Sequence, residues 1–211
     1  MSNKKGEKMS IVPKFEAVSD EDSFLDVKPM LVPGPKVYRD NNVIYFLDDM
    51  DSDSVYALEK HLNDIIENSR FASSVNIVID SLGGHTSGVY DIVKNYPLPI
   101  TTWVRGYCCS AATVLFLAGT KRYISPTSLF LIHSARTTAF QEFRESEATD
   151  MQEMMAKHNE VLLMNIYKKE TKIPKKMLEQ IPHKELWLTP EQCVEYKIAN
   201  AIKTFSKYSL E

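Results

Sequence analysis

The sequence predicts an α/β fold organised on a mostly parallel sheet, and three observations carry that expectation. Short β-branched or aromatic runs recur at "VIYFL" (43–47), "VNIVID" (75–80), "ITTWV" (100–104) and "SLFLIH" (128–133), which is the composition of buried strands. Helical patterns separate the first three of these runs. Alternation of strand and helix favours parallel pairing through right-handed crossovers. The chain has 211 residues, 44% of them hydrophobic and 25% charged, enough for one good core in a single domain.

Taken in order, residues 1–36 mix charge with Pro13, Pro29, Pro33 and Pro35 and hold no sustained period. They read as a flexible arm ending in an extended segment, so the folded domain is expected over 37–211. In "SDSVYALEKHLNDIIENS" (52–69) apolar residues fall at Val55, Leu58, Leu62 and Ile65 or Ile66, a spacing that turns one helix face inward. "GYCCSAATVLFLAG" (106–119) sets a lone hydroxyl, Ser110, ahead of a run too apolar for a surface. After His133, "FQEFRESEATDMQEMMAKHNEVLLMNIYKKE" (140–170) is charged, lacks Gly and Pro, and repeats apolar residues at Phe143, Met151, Met154, Met155, Val161, Leu162 and Ile166. It predicts one long helix, longer than a globular core usually covers, so that either part of it projects toward a partner or the whole of it lies on its own core. Pro174 is expected to stop it. "TPEQCVEYK" (189–197) then predicts a short capped helix, and "IANAI" (198–202) a return to strand.

Several function classes are disfavoured by bulk properties. A net charge of −3 with no block of five like charges leaves no electrostatic footprint for nucleic acid or an anionic membrane. The first 24 residues lack a secretory apolar core, and no apolar stretch reaches the length of a membrane span. A cytoplasmic protein is expected. Cys108 and Cys109 are adjacent and Cys193 is remote, which gives neither a disulfide framework nor a zinc-ligand spacing.

Two segments have the residue types that chemistry needs. "IDSLGGHTSG" (79–88) ends a strand in paired glycines before a helix, either a tight turn or a loop whose N–H groups face an anion. It has neither GxGxxG nor GK[ST] spacing, so nucleotide-loop readings fail. "ITTWVRGYCCSAA" (100–112) reads as a second strand, glycine and helix start, and two such turns on neighbouring parallel strands meet at the carboxyl edge of the sheet. Ser110 is then either a helix cap or a nucleophile at a helix N-terminus. Serine chemistry needs a base, oxyanion donors and a group that orients the base. Of His61, His85, His133, His158 and His183, the two at 61 and 158 lie in helices and read as surface residues. His133 ends a strand that emerges at the same edge as Ser110.

The order "SLGGHTSG", "GYCCSAA", "SLFLIHSA", a long helix, then "ELWLTPEQCVEYKIANAI" resembles the proteolytic subunit family of Clp protease, within the ClpP/crotonase superfamily, over about residues 37–203. The resemblance implies a spiral of repeated ββα units with a projecting handle helix. It also implies a serine endopeptidase, with Ser110 as nucleophile, His133 as general base, and Gly83 or Gly84 with Ala111 as oxyanion donors. An aspartate is usual at the third position, and the segment aligns Glu185 there, with Asp80 and Asp150 as alternatives. Cys108 and Cys109 replace the usual small residues before the nucleophile, which makes Cys109 a second candidate nucleophile. The "ELWLT" wording is similar to Clp-like proteases encoded by bacteriophages.

By the same resemblance, subunits form heptameric rings that stack into a tetradecamer through the handle. An AAA+ unfoldase partner would use ATP, while this chain would need no cofactor or metal and would act on polypeptides. The family's glycine-rich handle strand is replaced here by "SARTTAFQEFRESEATD" (134–150), which leaves a single ring open. Two competing classes remain: a silent or weakly active ring subunit serving assembly or regulation, and a crotonase-like acyl-CoA enzyme. The latter has no need of Ser110 and His133. An α/β-hydrolase is disfavoured because the chain has no GxSxG elbow and its order is Ser, His, carboxylate.

Overall fold

The computed structural model describes residues 36–68, 72–85, 88–134 and 145–209. Apart from Lys36, the arm expected over 1–36 lies outside the described residues, as does Phe143. Strand β1 (Val37–Asp40) turns through Asn41 into antiparallel β2 (Val43–Phe46). From β2 the sheet continues in parallel to β3 (Val75–Ser81) and β4 (Ile100–Cys109). Helix α1 (Ser52–Asn68) buries Val55, Leu58, Leu62 and Ile65, the face its spacing requires. Helix α2 (Val89–Lys94) links β3 to β4.

β4 is the organising strand because it pairs twice along one side. Thr101–Val104 pair in parallel with β5 (Lys121–Ile124), which carries β8 (Ala201–Ile202) beyond it. Tyr107–Cys109 pair in parallel with β6 (Leu129–Ile132), and β6 pairs antiparallel with β7 (Leu186–Leu188). Between the branches, α3 (Ala111–Ala118) is buried at every residue. Phe116 packs edge to face on Phe130, both fully buried, and each such side chain contributes about 1.5–3 kcal/mol of burial.

The expected glycine turn before Ser110 is absent. Gly106 lies within β4, and a Cβ there would fall 2.5 Å from the Asp80 carboxylate. That carboxylate accepts the Tyr107 N–H at 2.9 Å where the β3–β4 register shifts. Gly106 therefore makes room for a buttress between strands, and β4 runs on to Cys109. His61 also departs from expectation, being half-buried with its Nδ1 shut off from solvent.

The long helix begins with α4 (Glu145–Val161), passes through a π-helical turn (Leu162–Tyr167) and ends with α5 (Lys168–Glu170). It ends before Pro174. Thr171 is extended, and its N–H and Oγ1 bond the Tyr167 carbonyl at 3.0 and 2.6 Å. Pro174 instead caps α6 (Lys175–Leu178). The base of the long helix is clamped at Glu170, which meets Lys94 at 2.8 Å, Arg122 at 3.2 Å and the Tyr90 hydroxyl at 2.7 Å. Helix α7 (Pro190–Glu195) starts with the Thr189–Gln192 capping box, as its sequence predicted.

Candidate active site

Ser110 follows β4 directly and precedes α3, with φ 54° and ψ −125°, a conformation that costs a non-glycine residue about 1–3 kcal/mol. Three bonds hold it there. Its N–H donates to the Leu131 carbonyl at 2.9 Å, while its own carbonyl accepts the Thr113 N–H at 3.0 Å and the Thr113 hydroxyl at 2.6 Å. Ser110 occupies the N-cap position but its side chain makes no capping bond, so capping does not explain the hydroxyl.

The paired glycines press against this residue. Gly83 has φ 101°, and a Cβ on it would fall 2.6 Å from the Ser110 Cβ and 3.0 Å from the Ala111 nitrogen. Gly84 has φ 136°, and its Cβ would fall 2.1 Å from the Met50 carbonyl oxygen. The turn is pinned to the loop after β2: Met50 N–H donates to the Gly83 carbonyl and His85 N–H to the Met50 carbonyl, both at 2.7 Å. Gly83 N–H donates to Ser81 Oγ at 3.1 Å. At the start of α3, Ala111 has no carbonyl one turn back to receive its N–H.

His133 follows β6, the strand beside the last residues of β4. It is half-buried, and its Nδ1 lies 2.6 Å from the Ser134 carbonyl oxygen. That oxygen only accepts, so Nδ1 is the donor, and the tautomer it selects is the one that leaves Nε2 as the acceptor. Glu185 directly precedes β7, and His133 directly follows Ile132, the residue that pairs with Leu186 at the end of the β6–β7 ladder. Its Oε2 accepts from the Trp187 indole at 3.2 Å.

The two alternatives at the third position differ in their surroundings. Asp80 is held by the Tyr107 N–H and by Arg105 at 3.5 Å, and Asp150 is exposed on α4. Burial pushes the Cys109 thiol up, and burial pushes the Cys108 thiol up further with Cys109 and Cys193 adding to it. Neither is poised as a thiolate at neutral pH. Among the described residues no group of three or more His, Cys, Asp or Glu could hold a metal ion.

The sequence did not point to two contributors. The Leu131 carbonyl fixes the nucleophile, a backbone role that leaves no residue-type signal. An apolar strip also flanks His133 and Glu185. Tyr107 pairs with Leu129 and Leu131 with Trp187, and Tyr107, Leu129 and Trp187 stay 49%, 45% and 52% exposed.

Comparison with known proteins adds independent findings. A sequence model of the family described as Clp protease matches residues 38–205. Proteolytic subunit 2 of the ATP-dependent Clp protease of Treponema denticola is 26% identical over 145 residues, 65% of this chain and 70% of that one. The chloroplastic proteolytic subunit 3 of Arabidopsis thaliana is 28% identical over 202 residues, 92% of this chain and 58% of that one. A point variant of ClpP1 from Listeria monocytogenes superposes with a TM-score of 0.68 at 17% identity, covering 81% of this chain and 95% of that one. The structural likeness establishes the fold.

Proposed function

The chain belongs to the Clp protease family, and from that membership we propose that it is a serine endopeptidase whose nucleophile is Ser110. The observation that carries the proposal is the strained Ser110 backbone with Gly83 packed against its Cβ. Strain of this kind persists only where surrounding structure fixes it, and a capping role would not require it.

In the proposed reaction Ser110 Oγ attacks a peptide carbonyl as His133 Nε2 takes its proton. Negative charge gathers on the carbonyl oxygen, where the N–H groups of Ala111 and Gly84 stabilise it. Gly84 is favoured over Gly83 because Gly83 N–H already donates to Ser81. One such donor contributes about 3–4 kcal/mol to the barrier in other serine enzymes. Collapse of the tetrahedral intermediate breaks the C–N bond, and His133 returns the proton to the leaving amine. Water, deprotonated by His133, then hydrolyses the acyl-enzyme and regenerates Ser110. Glu185 would accept a hydrogen bond from Nδ1–H and hold the tautomer without taking the proton, in the place of the Ser134 carbonyl. The apolar strip suits extended polypeptides with apolar side chains near the cleaved bond. A ring of identical subunits, an ATP-using unfoldase partner and a cytoplasmic setting complete the proposal.

A second reading, a silent or weakly active ring subunit, is favoured by one observation: His133 Nδ1 meets a backbone carbonyl where a carboxylate is expected. A fluorophosphonate probe followed by mass spectrometry separates the two. Labelling at Ser110 that disappears in Ser110→Ala and His133→Ala supports the peptidase. Folded, assembled protein that stays unlabelled supports the silent subunit.

A further inference from the structure

Thr113 lies in the first turn of α3, fully buried, and Tyr167 closes the π-helical turn at 4% exposure. The Thr113 hydroxyl oxygen is 2.6 Å from the Ser110 carbonyl oxygen and 2.5 Å from the Tyr167 hydroxyl. Proton counting fixes the direction of both bonds. A carbonyl only accepts, so Thr113 donates its one proton to Ser110, and Tyr167 must donate to Thr113. Burial pushes the Tyr167 phenol far above its ordinary value, so that proton stays in place across the working pH range.

A threonine that bonds back to a carbonyl in its own first turn is ordinary. A buried phenol 54 residues away that donates to that threonine is not. The receiving carbonyl belongs to the peptide group whose other end is the Ala111 N–H. Each bond accepted by a peptide oxygen polarises the group and strengthens its N–H as a donor. This carbonyl accepts two, from Thr113 N and Thr113 Oγ1, and they fix the peptide plane beside Gly83. A π-helical turn is a local departure that frequently marks functional sites, and here it brings Tyr167 onto the first turn of α3.

We propose that Tyr167 and Thr113 are positioning residues: a relay from the Tyr167 hydroxyl through the Thr113 hydroxyl to the Ser110 carbonyl orients and polarises the Ser110–Ala111 peptide as an oxyanion donor. The relay ties that donor to the base of the long helix. The inference rests on the peptidase function proposed above.

The test uses the full-length protein with a fluorogenic peptide and amide hydrogen exchange read over residues 110–113. Tyr167→Phe removes the outer donor, Thr113→Val removes the relay at constant shape, and Thr113→Ser retains a hydroxyl. Complete loss of an oxyanion donor costs about 100–1,000-fold in kcat, so a misaligned one should cost about 10-fold with KM little changed. Tyr167→Phe and Thr113→Val should both show this loss, Thr113→Ser should restore most of it, and the double variant should be no worse than Thr113→Val alone. Exchange over 110–113 should quicken in the first two variants and not in Thr113→Ser. Wild-type kcat in Tyr167→Phe, or equal losses in Thr113→Val and Thr113→Ser, would overturn the relay in favour of packing. Wild-type protein unreactive toward peptide and fluorophosphonate would instead refute the peptidase, and amide exchange then decides the relay. Exchange unchanged in Tyr167→Phe overturns it, and exchange quickened there sustains it. Tyr167→Phe also serves should Thr113→Val fail to fold.

Discussion

Gly83 and Gly88 both adopt positive φ, 101° and 70°, yet a Cβ would meet different surroundings at the two. Among the described residues a Cβ on Gly88 would meet nothing within 4 Å, so Gly88→Ala should cost only the left-handed backbone penalty, about 1–2 kcal/mol. Gly83→Ala drives a methyl into Ser110 and toward the Ala111 N–H. It should lose more stability, about 2–4 kcal/mol, and lower the Ser110 labelling rate by about 100-fold or more. Urea midpoints and probe labelling of the two variants check this contrast. Thiols give a second prediction at this scale. Burial raises Cys109, and burial with the nearby Glu191 charge pushes Cys193 up to about 12. Iodoacetamide at pH 7 should therefore leave the folded protein unmodified and alkylate all three cysteines on unfolding. Rapid inactivation by stoichiometric alkylation of Cys109 would reinstate the thiol as nucleophile. The sequence drew attention to Ser110 because it stands directly ahead of a recognisable apolar run, and to His133 because it directly follows one. The Ser110 conformation was not, because a positive φ at serine leaves no compositional mark and is imposed by Leu131 and Thr113 from other elements.

Among the elements, the clamp at the base of the long helix gives a pH-dependent prediction. Burial alone would raise the Glu170 carboxyl, but hydrogen bonds from Lys94 and Tyr90 and the Lys94 and Arg122 charges outweigh it and hold the group below its ordinary 4.5. A depressed folded value means stability that is present above about pH 4.5 and lost as pH falls through the folded value. Glu170→Gln should lower stability by about 2–4 kcal/mol at pH 7, because it leaves the 12%-exposed Arg122 side chain without its counter-charge. The gap to wild type should narrow in urea titrations from pH 4.5 downward, and a gap independent of pH would show that charge is not what the clamp contributes. The helix it anchors was legible from composition, but its end was not: Thr171 stops it by bonding back to Tyr167 three residues before Pro174. The four apolar strands were legible for the same reason as the helix. The extension of β4 to Cys109 was hidden because Arg105, Gly106 and Tyr107 interrupt the apolar pattern, and their place in the strand depends on Asp80, a residue of the neighbouring strand.

For the molecule as a whole, α4 poses a question of solvation. Over Thr149–Val161 its described side chains are exposed apart from the half-buried Met151, with Met154 at 70% and Val161 at 54%. An isolated helix of about this length is marginal in water, and most helical stability comes from packing an apolar face. A helix projecting toward a partner was one of the two readings of the sequence pattern, and the ring assembly proposed from family membership supplies what would cover these exposed side chains. The expected result is a sedimenting species near seven times the 24.1 kDa chain mass, or twice that if two rings stack. Met154→Glu and Val161→Glu would put a charge on each exposed apolar site. If α4 lies between subunits, the paired substitution should shift the distribution toward smaller species at micromolar concentration, while Ser110 labelling in the remaining assemblies is retained. If α4 faces solvent in the assembly, the substitutions should leave the mass unchanged, because surface replacements away from contacts alter stability by only about 0.5 kcal/mol. A wild-type protein that sediments at 24.1 kDa across the micromolar range with its helix content intact would remove the ring from the proposal. It would leave the Ser110 chemistry to be judged by the probe alone, since every group in the proposed reaction comes from one chain.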